Sequence, residues 1–113
     1  QGYAHTRLAS VYNDVKRYDL SLSHARLAVR IADGLGGDSL YRLDLIEALG
    51  ELGLAHLGQG RAAEGCRAYE RATMVAAALE PRAGQLFDDA LSRYERLSAL
   101  IRERRARCEG GSE

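Results

Sequence analysis

The chain has 113 residues, with sixteen lysines and arginines against sixteen aspartates and glutamates. That balance gives no overall field to draw in nucleic acid or an acidic membrane surface, and no charge-free run approaches the roughly 20 residues that a membrane-spanning helix needs. A single proline, few β-branched residues and much Ala, Leu and Arg favour helix, at a length suited to one domain.

Gly2 to Leu35 reads as a first helical pair. Tyr3, Leu8, Ala9 and Tyr12 are expected on the inward face of one helix, Asn13 to Arg17 in the turn, and Tyr18, Ser21, Leu22, Ala25, Ala28, Val29 and Ala32 on the stripe of the next. Gly34, Gly36 and Gly37 close that helix, and Asp38 or Ser39 can cap another by accepting a bond from a free backbone N–H. From there Leu40, Leu43, Ile46, Leu49 and Leu52 keep helical spacing up to Gly58, a helix of about five turns. Gly58-Gln59-Gly60 breaks it. Gly65, Tyr69 and Ala72 then recur at i, i+4 and i+7 on a fourth helix, which runs through Met74, Ala76 and Leu79 to Glu80-Pro81. Pro81 suits the first turn of a fifth, because its missing N–H costs nothing there. Leu86, Ala90, Leu91, Tyr94, Leu97 and Ile101 give that helix a stripe to about Arg105, and 109–113 reads as a disordered tail.

Laying the first pair on the second matches Leu8 with Leu52, Ala9 with Gly53, Tyr12 with His56, Ser21 with Gly65, Ala25 with Tyr69 and Ala28 with Ala72. Each match is 44 residues apart. A register that holds across a turn points to an internal repeat.

Leu52-Gly53, Gly60, Tyr69 and Ala72 resemble the tetratricopeptide repeat. His56 replaces that family's first-helix aromatic, Gly65 replaces its first second-helix alanine, and the period exceeds the usual value of about 34. Long repeats of this kind are similar to those of kinesin light chains and of helical regions in actinobacterial regulators. The fifteen-to-one excess of Arg over Lys suits a bacterial source. The resemblance implies an all-α fold, a right-handed superhelix of antiparallel helix pairs with about five helices. Units of 2–35 and 38–80 and a half repeat or capping helix of 81–106 would fill a domain of 1–108. The chain opens on Gln1 already in a helical pattern, so it is read as a piece of a longer protein.

Nothing in the sequence points to catalysis, a cofactor or a metal, and a non-enzyme is expected. Gly2, Ser21 and Gly53 stand three residues before His5, His24 and His56, where a helical Glu-x-x-His site would need a carboxylate. Gly34-Leu35-Gly36-Gly37 lacks the Lys-Ser or Lys-Thr of a phosphate loop, and Ser10 and Ser92 have no local base. Cys66 is expected as a small buried hydrophobe and Cys108 in an exposed tail, both free, which suits a reducing, cytoplasmic setting. The arginines at 102, 104, 105 and 107 are expected to complement the dipole at a helix end, with contact to nucleic acid as a distant alternative.

The resemblance implies a concave groove lined by the first helix of each unit. Carried over by register, it would show Thr6, Ser10, Asn13 and Asp14, then Glu47, Gly50, Glu51, Leu54 and Leu57, then Gln85, Asp88, Ser92 and Glu95. The family's Lys-and-Asn clamp for a peptide carboxylate is missing, and acidic residues outnumber basic ones in this set. The expected ligand is therefore a peptide or partner helix with apolar anchors and some Arg or Lys, held by the sensor or scaffold part of a bacterial transcriptional regulator. A second reading is self-association, with a second copy covering a stripe through Leu97, Leu100 and Ile101.

Overall fold

The third predicted helix carries apolar or small residues on every side, and a helix of that kind is stable only when surrounded. The computed structural model describes residues 2–34, 39–81 and 88–111. They form five helices, α1 (Gly2–Asp14), α2 (Tyr18–Gly34), α3 (Ser39–Gly58), α4 (Ala62–Leu79) and α5 (Asp88–Gly111), with no strand among the described residues. α3 packs against each of the other four. Leu43, Leu45, Ile46, Ala48, Leu49, Gly53 and Ala55 are all buried along it. The contacts α1–α3 and α3–α5 join the odd-numbered helices into one layer, while α2 packs on α1 and α3, and α4 on α3 and α5. The molecule measures 38 × 33 × 21 Å.

α3 and α4 meet through two glycines. A Cβ on Gly53 would stand 2.5–2.8 Å from the Tyr69 ring, and one on Gly65 would stand 2.8 Å from the Gly53 carbonyl oxygen. The missing side chains let the fully buried Tyr69 lie flat against the α3 backbone, within a core of Leu43, Leu45, Ile46, Leu49, Ala72, Leu79, Leu97 and Ile101.

The 44-residue register holds in the backbone. Arg17 N–H donates to Tyr12 O and Arg61 N–H to His56 O, both at 2.8 Å. Ser21 N–H to Arg17 O and Gly65 N–H to Arg61 O both measure 3.0 Å. Ala9 and Gly53, Ser21 and Gly65, Ala25 and Tyr69, and Ala28 and Ala72 are buried pair by pair.

Four expectations are corrected. Tyr3 and Leu8 are 52% and 41% exposed, and the inward face of α1 is Thr6, Ala9 and Asn13 instead, because α3 meets α1 through hydrogen bonds as well as apolar contact. Pro81 lies in a 3₁₀ turn that continues α4 and does not open α5. α5 runs on to Gly111, past the point where fraying is expected. The cysteines are joined: Cys66 of α4 and Cys108 of α5 form a disulfide across a Cα–Cα distance of 5.8 Å. It ties the last turns of α5 to the start of α4, and both residues are half-buried. The free-thiol argument for a reducing compartment goes with it. No helix among the described residues is long and apolar enough to cross a membrane. Gly36, Gly37, Asp38, Gln85 and Leu86 lie outside the described residues.

Candidate functional site

A hollow of ≈ 220 Å³ opens in the layer formed by α1, α3 and α5. Arg7 borders it from α1, Ile46, Glu47, Gly50 and Glu51 from α3, and Arg96, Leu97, Leu100, Ile101 and Arg104 from α5. The α5 residues recur at i, i+1, i+4, i+5 and i+8, which is one helical face turned toward α3. α5 crosses close over Gly50; a Cβ there would stand 3.3 Å from both Ile101 and Arg104. Arg104 Nη1 donates to the Gly50 carbonyl oxygen at 3.0 Å, which fixes the guanidinium at the edge of the hollow.

Of the residues expected in the groove, the structure brings together Glu47, Gly50 and Glu51. Thr6 and Asn13 are instead buried between α1 and α3. Asn13 Nδ2 donates to the Glu51 carbonyl oxygen at 3.1 Å and to Glu51 Oε1 at 2.8 Å, so Asn13 joins the two helices and does not face a ligand, while Glu51 also borders the hollow. Ser10 and Leu54 are half-buried outside the hollow's lining, and Asp14 is exposed at the end of α1. Leu57 packs toward α4, where a Cβ on Gly65 would touch it. Asp88, Ser92 and Glu95 are exposed on other faces of α5. Glu95 borders a separate cleft between α4 and α5, with Thr73, Glu80 and Arg102. α5 is thus rotated from its expected register, and Tyr94 shows why: its hydroxyl donates to Ala76 O of α4 at 3.3 Å, which turns that face toward α4.

The charge argument reverses with this rotation. Arg93 donates to Asp44 and to Glu47, each at 2.7 Å, so the exposed-looking carboxylates of α3 are already matched by α5. Burial raises the Glu51 carboxyl above its ordinary range, opposed by the hydrogen bond from Asn13 and the charge of Arg104. Arg7, Arg96 and Arg104 remain around the rim, with Arg7 also lying 5.8 Å over the Tyr3 ring. The expected preference for a basic ligand therefore loses its premise. None of these arginines belongs to the groove set read from sequence, where Arg104 figures only among the charges of a helix end; only the Leu97–Ile101 spacing could have pointed to this face of α5.

Elsewhere the chemistry is structural. His56 is buried, and burial, with Arg26 nearby, lowers its pKa. The Nδ1 atoms of His5 and His24 lie 3.0 Å apart, and the His24 ring stacks on Tyr12 with centroids 5.7 Å apart. Among the described residues no group of three or more His, Cys, Asp or Glu is placed to hold a metal ion. The C-terminal arginines do not form one patch: Arg104 turns to Gly50, Arg107 pairs with Glu103 at 3.0 Å, and Arg102 borders the α4–α5 cleft.

The fold and the hollow define an all-α protein built from repeated helical hairpins, with a depression on its odd-helix layer that three arginines and two glutamates border over an apolar floor. Compared with family models, with curated proteins and with solved structures, the chain gives no match.

Proposed function

We propose that the chain is a non-catalytic interaction module of the tetratricopeptide type, holding a partner's peptide or helix on the α1–α3–α5 layer. The observation that carries this reading is the hollow itself: half-buried Leu100 offers apolar surface above a floor of buried Ile46, Leu97 and Ile101, and Arg7, Arg96 and Arg104 surround it. Apolar surface supplies affinity and the rim selects sign. The partner should therefore present apolar anchors flanked by Asp or Glu. A sensor or scaffold role in a bacterial regulator is the setting in which such a module would serve.

The test uses two fluorescent amphipathic peptides with the same leucine anchors, one flanked by Asp and Glu and the other by Lys and Arg. Anisotropy should show the acidic peptide binding more tightly, with an affinity that falls as salt is added. Arg96→Glu should weaken it, since Arg96 is an exposed rim charge. Equal binding of both peptides, or none of either, would overturn the proposal.

A further inference from the structure

Beyond the groove, the outer face of the first hairpin carries apolar side chains that none of the described residues covers. Ala4, Leu8, Val11 and Val15 are all exposed, Val11 and Val15 at 56% and 61%. Their spacing of four, three and four residues is that of a coiled-coil seam. It lies opposite the inward face of Thr6, Ala9 and Asn13. Val15 stays in helical register past the end of α1, its N–H donating to Val11 O at 3.2 Å. Beside this seam α2 presents Leu20 and Ile31, half-buried, and Leu27, exposed, around His24.

The internal repeat shows what such a face does. The 44-residue equivalents of Ala4, Leu8 and Val11 are Ala48, Leu52 and Ala55; the two alanines are fully buried and Leu52 is half-buried. That side of α3 is turned to the first hairpin, since Gly58 lies against the Tyr18 ring and Glu51 accepts from Asn13. On α4 the equivalents of Leu20 and Leu27 are Glu64 and Arg71, both exposed. Where the second hairpin sends charge into water, the first sends leucine.

We infer that this face pairs with a second copy of the chain, α1 lying antiparallel on α1 about a two-fold axis. The flanking charges choose the occupant and its direction. Arg7 and Asp14 are exposed on one edge of the seam, seven residues apart. In an antiparallel pair Arg7 faces the partner's Asp14 twice over, whereas in a parallel pair the two lie on opposite edges of the seam and do not meet. A two-fold contact is self-complementary in this way. α1 alone is short of the roughly 800 Å² per partner of a standard interface; the leucines of α2 extend the contact, and the dimer is a weak one. Of the stripe through Leu97, Leu100 and Ile101, expected from sequence to serve this purpose, Leu97 and Ile101 are buried within the chain and Leu100 is half-buried.

Sedimentation equilibrium of the oxidised chain over two decades of concentration tests this. The mass should rise from 12.4 kDa toward twice that value, and Val11→Arg should hold it at the monomer while the helical circular dichroism is unchanged. Arg7→Glu and Asp14→Arg should each weaken the dimer, and the two together should restore it. A mass of one chain at every concentration, a Val11→Arg variant that dimerises like the parent, or a charge reversal that fails to restore pairing would each overturn the inference.

Discussion

Lys16 and Gly60 stand 44 residues apart and both hold their backbone in the left-handed region, at φ 62° and 78°. Each is followed by a residue whose N–H donates across the turn at 2.8 Å, to Tyr12 O in one hairpin and His56 O in the other. The two hairpins therefore share a turn geometry, but only the second has the residue that adopts it without steric cost. Lys16→Gly should stabilise the protein by about 0.5–1 kcal/mol, and Gly60→Ala should destabilise it by about 1 kcal/mol. Urea unfolding of the two variants checks both signs.

The glycine at the α3–α4 crossing is required by space and not by backbone angle. Gly53→Leu places a side chain where the Tyr69 ring already stands, since even a Cβ would come within 2.5 Å of it. The expected cost is about 1–3 kcal/mol from overpacking. Gly34→Ala is the control, because nothing lies within 4 Å of its Cβ position. A thermal midpoint lowered in the first variant and not in the second separates close packing from helix propensity.

The disulfide closes a loop between residues 42 apart. By loop-closure entropy it contributes about 4 kcal/mol. Cys108→Ser should lose much of that, and amide exchange should rise most in the last turns of α5, which Cys66 anchors. Peptide mapping without reductant should recover the segments around Cys66 and Cys108 as one species.

These outcomes separate what the sequence carries from what it does not. The helical pairs and their 44-residue register are legible because they are written in local spacing, as in Ala9 with Gly53 and Ala28 with Ala72. The facing of α1 is not. Ranking by hydrophobicity sends Tyr3 and Leu8 inward, whereas Asn13 goes inward to hydrogen-bond Glu51, a partner 38 residues away. α5 departs from the 44-residue register, so neither its rotation nor the meeting of Cys108 with Cys66 has a local signal. The arginine rim was missed for the same reason, since it depends on which face of α5 meets α3.

The register places Asn13 in the groove, yet it is buried against α3, so its loss should cost stability. Asn13→Ala removes the donor that holds both Glu51 Oε1 and its carbonyl oxygen. The Glu51 carbonyl keeps its bond within α3, but leaving the buried Oε1 without this donor costs about 1–3 kcal/mol. Denaturant unfolding should show that loss.

Glu51 also sets a pH dependence whose sign follows from its burial. Desolvation raises its folded pKa above the ordinary 4.5, with Asn13 and Arg104 opposing the shift. Between that ordinary value and the raised one, the folded state binds more protons than the unfolded state. Stability from this group is therefore fully present below pH 4.5 and is lost as pH rises through the folded pKa. Glu51→Gln keeps an oxygen to accept from Asn13 Nδ2 but cannot ionise. Relative to that variant, the parent should lose stability as the solution is taken from mildly acidic to neutral. Unfolding curves for the two proteins across that range should diverge in this direction; parallel curves would mean that Glu51 ionises as freely folded as unfolded.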